Sequence, residues 1–251
     1  MADDYILETR GLTREFKGFI AVKNVDLKVR PGTIHALIGP NGAGKTTVFN
    51  LLTKFLIPSR GQIFYKGGDI TRIKPADVAR RGLVRSFQIS AVFPHLTLLE
   101  NVRIALQRRL GTSFHFWRSV SSLDRLNGRA MDLLDAVNLV EFADLTASEL
   151  SYGRKRALEI ATTLALDPEM MLLDEPLAGM AHEDIGRIAD LIRKVAADRT
   201  ILMVEHNLTV VADLCDRITV LQRGEILAEG DYATVSSDPR VREAYMGTGH
   251  A

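Results

Sequence analysis

The chain is nearly free of cysteine, carries almost no net charge and has no long apolar run. Cys215 is the only cysteine among 251 residues, so no disulfide can form within the chain. A formal net charge of +1 gives no bulk attraction to nucleic acid or to anionic lipid. No uncharged apolar run reaches the roughly 18 residues that a membrane-spanning helix needs. These absences argue against a disulfide scaffold, a nucleic-acid binder and a transmembrane protein.

The N-terminus also lacks an export signal. Met1-Ala2-Asp3-Asp4 is acidic and is not followed by an apolar signal core, so we expect the chain to stay in a reducing cytoplasm. Hydrophobic residues make up 46% and charged residues 25%, as in ordinary soluble globular proteins. The length suits one large domain or one domain with a subdomain.

The most informative motif is a phosphate-binding loop that follows the apolar run Ile34–Ile38. It has the pattern G-x-x-x-x-G-K-[ST] between a predicted strand and a predicted helix over 45–55. The glycines let successive backbone N–H groups point at an anion, and the positive end of the helix faces the same anion. Lys45 can reach the β- and γ-phosphates, and Thr46 can hold Mg²⁺. The loop residues are Gly39, Pro40, Asn41, Gly42, Ala43, Gly44, Lys45, Thr46 and Thr47.

A second motif places two carboxylates at the end of a buried strand. The apolar run Met170–Leu173 is followed by Asp174 and Glu175. Strand ends of a parallel sheet lie where such sheets bind phosphates. Asp174 is therefore a candidate Mg²⁺ ligand, and Glu175 is the candidate base that orients and deprotonates the attacking water.

A third motif, Leu150-Ser151-Tyr152-Gly153-Arg154, precedes a helix predicted over 155–166. Ser151 is a plausible N-cap, and Gly153 leaves backbone N–H groups open at the positive helix end. The motif predicts a second anion site without a lysine. An ordinary helix cap explains the same residues, and the segment alone does not decide between the two.

The rest of the chain predicts an α/β protein with a mainly parallel sheet. Residues 22–29 alternate as a half-exposed strand, and 61–70 form a hairpin. The part from about 89 to 166 is mostly helical, with an irregular stretch over 110–127. The aromatic residues of that stretch are interpreted as a satellite core, with a partner-docking surface as the alternative. After it, strands alternate with crossover helices, the pattern of a parallel sheet. The later elements are strands at 170–173, 200–204, 218–221 and 225–228 and helices at 183–196 and 207–214.

The three motifs, in this order and spacing, resemble the nucleotide-binding subunit of ATP-binding cassette (ABC) transporters. The resemblance runs from about Leu7 to the C-terminus. It implies a P-loop NTPase core with a mainly parallel sheet, an N-terminal antiparallel β subdomain and an α-helical subdomain. The implied parts are the nucleotide-binding core at 1–88 and 167–237, the helical subdomain at 89–166 and a C-terminal tail at 238–251.

The resemblance also implies roles for residues outside the phosphate loop. Phe16 matches the aromatic residue that stacks on adenine, although alone it is a candidate for the core. Gln88 matches the glutamine that contacts Mg²⁺ and the water, and His206 matches the histidine that contacts the γ-phosphate. Ser151 and Gly153 match the segment that covers the ATP bound to a partner subunit. The implied cofactors are ATP and Mg²⁺.

The implied partners follow from the head-to-tail dimer of the family. They are a second ATPase subunit, identical or different, two transmembrane permease subunits and, indirectly, an extracytoplasmic solute-binding protein. No nucleic acid is implied. The implied location is peripheral, on the cytoplasmic face of the inner (plasma) membrane.

Several details resemble one branch, the ATPase subunits of high-affinity branched-chain amino-acid importers. They are Tyr152 in the signature, the following Glu159-Ile160-Ala161, the insert at 107–128 and the tail at 238–247. Two residues depart from the pattern. Arg154 stands where the group usually has glutamine, and Ala181 stands where family members usually carry Asp or Asn at the dimer interface.

Two alternatives compete with an importer ATPase. An exporter ATPase of the lipopolysaccharide type has a similar length, but it usually has a second glycine where this chain has Tyr152. A soluble ABC-fold ATPase of DNA repair or translation usually carries a coiled-coil insertion or two cassettes, and this chain has neither. The near-neutral charge also argues against the latter.

Overall fold

The computed structural model describes residues 5–86, 92–109 and 120–246. Two compact units divide the described residues. The first takes its residues from Met1–Arg85, Glu169–Pro176 and Arg193–Ala251, and the second from Ser86–Pro168 and Leu177–Ile192. The subdivision into core, helical subdomain and tail stays a prediction.

The first unit is built on a six-stranded sheet whose order is β11-β10-β4-β9-β8-β7. Strands β10, β4, β9 and β8 are parallel to one another, and β11 runs antiparallel to β10. Every residue of the three innermost strands is buried, which explains their continuous apolar runs. The strands are β4 (Ile34–Ile38), β7 (Leu83–Ser86), β8 (Met170–Asp174), β9 (Thr200–Val204), β10 (Arg217–Gln222) and β11 (Glu225–Gly230).

A smaller antiparallel sheet completes this unit, in the order β2-β1-β5-β6 with β3 paired to β1. Its buried residues share one apolar core with α1 and the central strands. The predicted hairpin is present, with its turn at Lys66 and Gly67. The strands are β1 (Leu7–Phe16), β2 (Phe19–Val25), β3 (Lys28–Val29), β5 (Arg60–Tyr65) and β6 (Gly68–Asp69). The predicted α/β class with a mainly parallel sheet and an N-terminal antiparallel part is confirmed.

The helices of the first unit differ from the sequence predictions in extent. Helix α1 ends at Leu52, before the predicted Phe55, because Lys54 adopts a left-handed conformation that a helix cannot continue. The short helix α2 was not predicted, and the predicted tail contains helix α9. The helices are α1 (Lys45–Leu52), α2 (Pro75–Arg80), α7 (Leu208–Leu214), α8 (Tyr232–Ser237) and α9 (Pro239–Met246).

The second unit is helical, as the sequence predicts. Helices α3, α4 and α5 pack on one another, and α6 begins in this unit. In the described part of the expected irregular stretch, Val120–Leu126 form a 3-10 helix, and the aromatic cluster of Phe114, Phe116 and Trp117 lies outside the described residues. The helices are α3 (Leu98–Arg109), α4 (Asn127–Ala136), α5 (Tyr152–Leu164) and α6 (His182–Ala196).

Candidate nucleotide-binding site

The phosphate loop connects β4 to α1, as predicted. Gly44 occupies the N-cap position of α1 with a φ of 103°, a conformation that favours glycine. A Cβ at Gly44 would lie 2.6 Å from the carbonyl oxygen of Ala21, and one at Gly39 would lie 2.2 Å from that of Leu221. The loop therefore needs glycine at both ends for reasons of packing as well as conformation.

Lys45 folds back over the loop to which it belongs. Its Nζ donates hydrogen bonds to the carbonyl oxygens of Gly39, at 2.6 Å, and of Pro40, at 3.0 Å. The residue is 8% exposed. Burial lowers the pKa of Lys45, and the charges of Glu175 and Asp174 oppose that shift. The structure thus brings the lysine of the first motif within electrostatic range of both acids of the second motif.

Asp174 ends the buried strand β8 and is 2% exposed. Its Oδ2 forms a very short ion pair with Nη2 of Arg85, the penultimate residue of β7. Nη1 of Arg85 also donates a 2.6 Å hydrogen bond to the side-chain oxygen of Asn50 on α1. Neither Arg85 nor Asn50 was among the site residues predicted from the sequence. The general rule that a buried carboxylate needs a partner predicts such a cation without saying where it lies in the chain.

Glu175 has a φ of 49°, which is uncommon for a residue with a side chain. Its backbone N–H donates a 3.0 Å hydrogen bond to Val204, at the end of the neighbouring strand β9. The conformation turns the chain out of the sheet directly after Asp174, so the two successive acids are not constrained to the alternation of a strand. Strained residues of this kind cluster at active sites.

His206 lies beside Glu175. Its Nδ1 is 3.6 Å from Oε1 of Glu175, and about half of its side chain is exposed. The buried carboxylate of Glu205 accepts a 3.1 Å hydrogen bond from the backbone N–H of His206 and so supports the loop after β9. Asn207 then caps α7 by accepting from the amides of Thr209 and Val210. The contacts of His206 with Glu205 and with Glu175 were not predicted from the sequence.

Two further predicted residues have different outcomes. Phe16 ends β1 with 38% of its surface exposed, and the guanidinium of Arg14 lies 4.5 Å from its ring centroid. It is therefore a surface aromatic residue and not part of the core. Gln88 lies outside the described residues, so its predicted contact with Mg²⁺ and water stays a prediction.

The signature segment belongs to the second unit. Ser151 occupies the N-cap position of α5, but its side chain makes no capping hydrogen bond there. A Cβ at Gly153 would lie 2.7–2.9 Å from the carboxyl group of Asp184, so any larger residue would require that carboxyl group to move. Arg154, which departs from the usual pattern, has its guanidinium 4.1 Å from the ring centroid of Phe142. That contact gives Arg154 a packing role within the unit.

The site has oxygen ligands suited to Mg²⁺ without forming a protein cage. No group of three or more His, Cys, Asp or Glu side chains in the described ranges could hold a metal ion. Mg²⁺ usually takes one or two carboxylates, phosphate oxygens and water rather than an all-protein shell. The hydroxyl of Thr46 and the carboxylate of Asp174 fit that requirement beside bound phosphates.

Comparisons with known proteins agree with this geometry. A family described as "ABC transporter" matches residues 22–178, and one described as "Branched-chain amino acid ATP-binding cassette transporter" matches residues 225–251. The high-affinity branched-chain amino acid transport ATP-binding protein BraF of Pseudomonas aeruginosa is 39% identical over 249 residues, covering 96% of this chain and 98% of BraF. LivG of Escherichia coli, which carries the same description, is 38% identical over 249 residues, with the same two shares covered.

Solved structures extend the similarity to the fold. A nucleotide-free ATP-binding cassette from an ABC transporter has a TM-score of 0.84 at 31% identity and covers 96% of this chain and 98% of its own. The ADP conformation of such a cassette has a TM-score of 0.84 at 30% identity, covering 97% and 99%. A dimeric cassette in a post-hydrolysis state, bound to ADP and Pi, has a TM-score of 0.75 at 25% identity, covering 90% and 98%.

The fold and the phosphate site define a nucleotide-binding α/β protein. The chain belongs to the ABC transporter family, and it is an ATPase of that family. Among the residues that the structure describes, no helix combines the length and the apolar character needed to cross a bilayer.

Proposed function

We propose that this chain is the ATP-hydrolysing subunit of an ABC importer. It drives the uptake of branched-chain amino acids, or of a related small polar solute, through partner permeases. The observation that supports the chemistry is the grouping of Lys45, in the loop after β4, with Asp174 and Glu175, at the end of β8. Both strands pair with β9, which lies between them in the sheet. The family match at 225–251 and the names of BraF and LivG support the solute class.

The chain's own residues divide the work of hydrolysis. The ammonium of Lys45 exchanges its two loop carbonyls for the β- and γ-phosphate oxygens, and the loop amides bind the same phosphates. Phe16 stacks on adenine. Thr46 and Asp174, with Gln88, hold Mg²⁺, which neutralises charge on the phosphates when bound. Arg85 orients the carboxylate of Asp174 through their ion pair.

Glu175 accepts the proton of the attacking water, and His206 contacts the γ-phosphate. The 3.6 Å separation between the two side chains brings the loop after β8 and the loop after β9 together at the proposed γ-phosphate position. Ser151 and Gly153 act on a different molecule of ATP, the one bound by the partner subunit. The uncapped start of α5 suits this role because its backbone amides are not bound by the Ser151 hydroxyl.

The proposed assembly contains a second ATPase subunit and two permeases on the cytoplasmic face of the plasma membrane. A solute-binding protein on the other side delivers the solute. In this assembly residues 89–166 form the helical subdomain that contacts the permeases, and 1–88 and 167–237 form the nucleotide-binding core. The dimeric cassette bound to ADP and Pi supports the pairing of two ATPase subunits.

The experiment that tests the proposal isolates the full chain from membranes with its partners. A tagged copy is purified in mild detergent, and the co-purifying proteins are identified by mass spectrometry. We expect two integral membrane subunits, and ATPase activity that rises when the cognate binding protein is added with leucine, isoleucine or valine. Co-purification with ribosomes or DNA-repair proteins, without membrane subunits, would contradict the proposal.

A further inference from the structure

Lys54 combines two features that are unusual for a lysine, a left-handed backbone conformation and a buried ammonium group. It follows the end of α1 with a φ of 66°, the left-handed conformation that glycine normally supplies at this place. The residue is only 7% exposed, and within the described part of the chain its Nζ is buried without a hydrogen-bond partner. Both features cost free energy, and residues that carry such costs are candidates for function.

Asp69, the nearby acid, does not compensate for the burial of the Lys54 ammonium. Burial lowers the pKa of Lys54 to about 8, and the charge of Asp69 opposes this only in part. The two carboxylate oxygens of Asp69 accept hydrogen bonds from the backbone N–H of Thr71, at 2.7 Å, and from the side-chain amide of Gln62, at 3.1 Å, but neither accepts one from Lys54. Within the described residues, the ammonium of Lys54 is therefore buried near one carboxylate but hydrogen-bonded to no anion.

Lys54 lines a groove of about 1000 Å³ beside the antiparallel sheet. Three other cationic side chains, those of Arg60, Arg72 and Lys74, line the same groove. Within the ranges that the structure describes, none of these three side chains takes part in a hydrogen bond or an ion pair. The groove thus holds four cationic side chains against the single carboxylate of Asp69. On a chain with a net charge of +1, this is a local feature and not a bulk property.

We propose that this groove binds a phosphate group, with Lys54 at its base. Arginine forks and lysine point charges are the groups that proteins use to bind phosphate. Ile57 lines the groove with 66% of its surface exposed, and Phe55, next to Lys54 in sequence, is 57% exposed. Exposed apolar side chains beside cations favour the headgroup of an anionic phospholipid as the source of the phosphate. The inference goes beyond the proposed function and does not depend on it.

The test compares Lys54→Gly with a matched control. Glycine removes the ammonium and relieves the left-handed backbone, so Lys54→Gly should unfold at the same temperature as the wild type or higher. Lys66→Gly is the control, because Lys66 is also a left-handed lysine, with a φ of 52°, but it is exposed and paired with Glu169 at 2.6 Å. Both variants lose one positive charge, so bulk attraction to anions falls equally.

The binding assay is co-sedimentation of the full chain with vesicles, in saturating ADP so that the phosphate loop is occupied. Vesicles of phosphatidylglycerol and phosphatidylcholine are compared with vesicles of phosphatidylcholine alone. We expect the wild type and Lys66→Gly to bind the anionic vesicles alike. Lys54→Gly should bind about tenfold more weakly, the effect of losing one charge-assisted hydrogen bond.

A second arm titrates inorganic phosphate into the same proteins. Binding of phosphate that is lost in Lys54→Gly, without any binding to vesicles, supports the phosphate site and rejects phospholipid as its source. Equal losses in both variants would show that only net charge matters. That result, or no loss in either assay, overturns the proposal.

Discussion

The side-chain nitrogen of Lys45 lies 2.6 Å from the carbonyl oxygen of Gly39, six residues earlier in the same loop. Lys45 donates a second hydrogen bond, to the carbonyl oxygen of Pro40, so its side chain links the two ends of the phosphate loop. In the nucleotide complex that we propose, phosphate oxygens replace these two carbonyls as partners of Lys45. The loop is thus shaped before binding, which reduces the entropy lost in forming the complex.

Replacing Lys45 by alanine should abolish tight nucleotide binding. The variant loses at least one charge-assisted contact to the phosphates, so we expect the dissociation constant for ATP to rise by more than about tenfold. Titration with a fluorescent ATP analogue measures the change. Lys66→Ala, which removes an exposed lysine outside the phosphate loop, should bind ATP as the wild type does. Tight ATP binding by Lys45→Ala would refute the assignment of the phosphate loop.

Helix α9 contacts the phosphate loop through Tyr245. Burial raises the pKa of Tyr245 to about 12, and the nearby backbone of Gly39 opposes the rise. Arg240, Glu243 and Ala244 of the same helix line a cleft together with loop residues 40–43. The family match at 225–251 includes this helix. The C-terminal segment therefore supports the strand end from which the loop begins.

Tyr245→Phe removes only the hydroxyl and should weaken ATP binding about fivefold, since the loss of one neutral polar contact costs roughly 1 kcal/mol. The turnover rate at saturating ATP should stay close to that of the wild type, because the residue acts on the loop and not on the water. Tyr232→Phe, on the exposed side of α8, is the control and should change neither quantity. A fall in the saturated rate with unchanged affinity would contradict this role for Tyr245.

His35 makes the fold sensitive to acid. It is fully buried in β4, where its Nε2 lies 2.8 Å from the hydroxyl of Thr219. Burial lowers its pKa from 6.5 to about 4. The unfolded chain therefore binds a proton between these pH values when the folded chain does not, and the free energy of unfolding falls as pH drops through this window.

His35→Gln keeps a polar partner for Thr219 but does not titrate. We expect wild-type stability to lose roughly 3 kcal/mol more than the variant between pH 6.5 and 4. Urea unfolding at a series of pH values measures both curves. Parallel curves for the two proteins would show that His35 does not set the acid sensitivity.

The sequence correctly predicted those parts of the site whose structure is determined by residues close together in the chain. The glycines of the loop fix the turn before Lys45, and an apolar strand delivers Asp174 and Glu175 to the edge of the sheet. The pairing of Arg85 with Asp174 could not be predicted, because it depends on which strand lies beside β8. The burial of Lys54 and its positive φ could not be predicted either, because both depend on the tertiary structure.

Ala181 precedes α6 and is exposed, and its side chain has no hydrogen-bonding group. Since family members usually carry Asp or Asn at this interface position, we expect weak coupling between the two ATP sites of a homodimer. Ala181→Asn should raise the Hill coefficient of ATP hydrolysis above that of the wild type. Identical coefficients in steady-state assays over a range of ATP concentrations would remove the idea.

The most direct test of the whole account is Glu175→Gln, since the proposal makes Glu175 the base in a site closed by a second subunit. The amide keeps the size of the side chain and cannot accept the proton. We predict that the variant binds ATP, does not hydrolyse it, and elutes as a dimer from gel filtration in ATP and Mg²⁺. Glu225→Gln, at an exposed position on β11, should hydrolyse ATP normally. Hydrolysis by Glu175→Gln at the wild-type rate, or an ATP-bound monomer, would contradict the account.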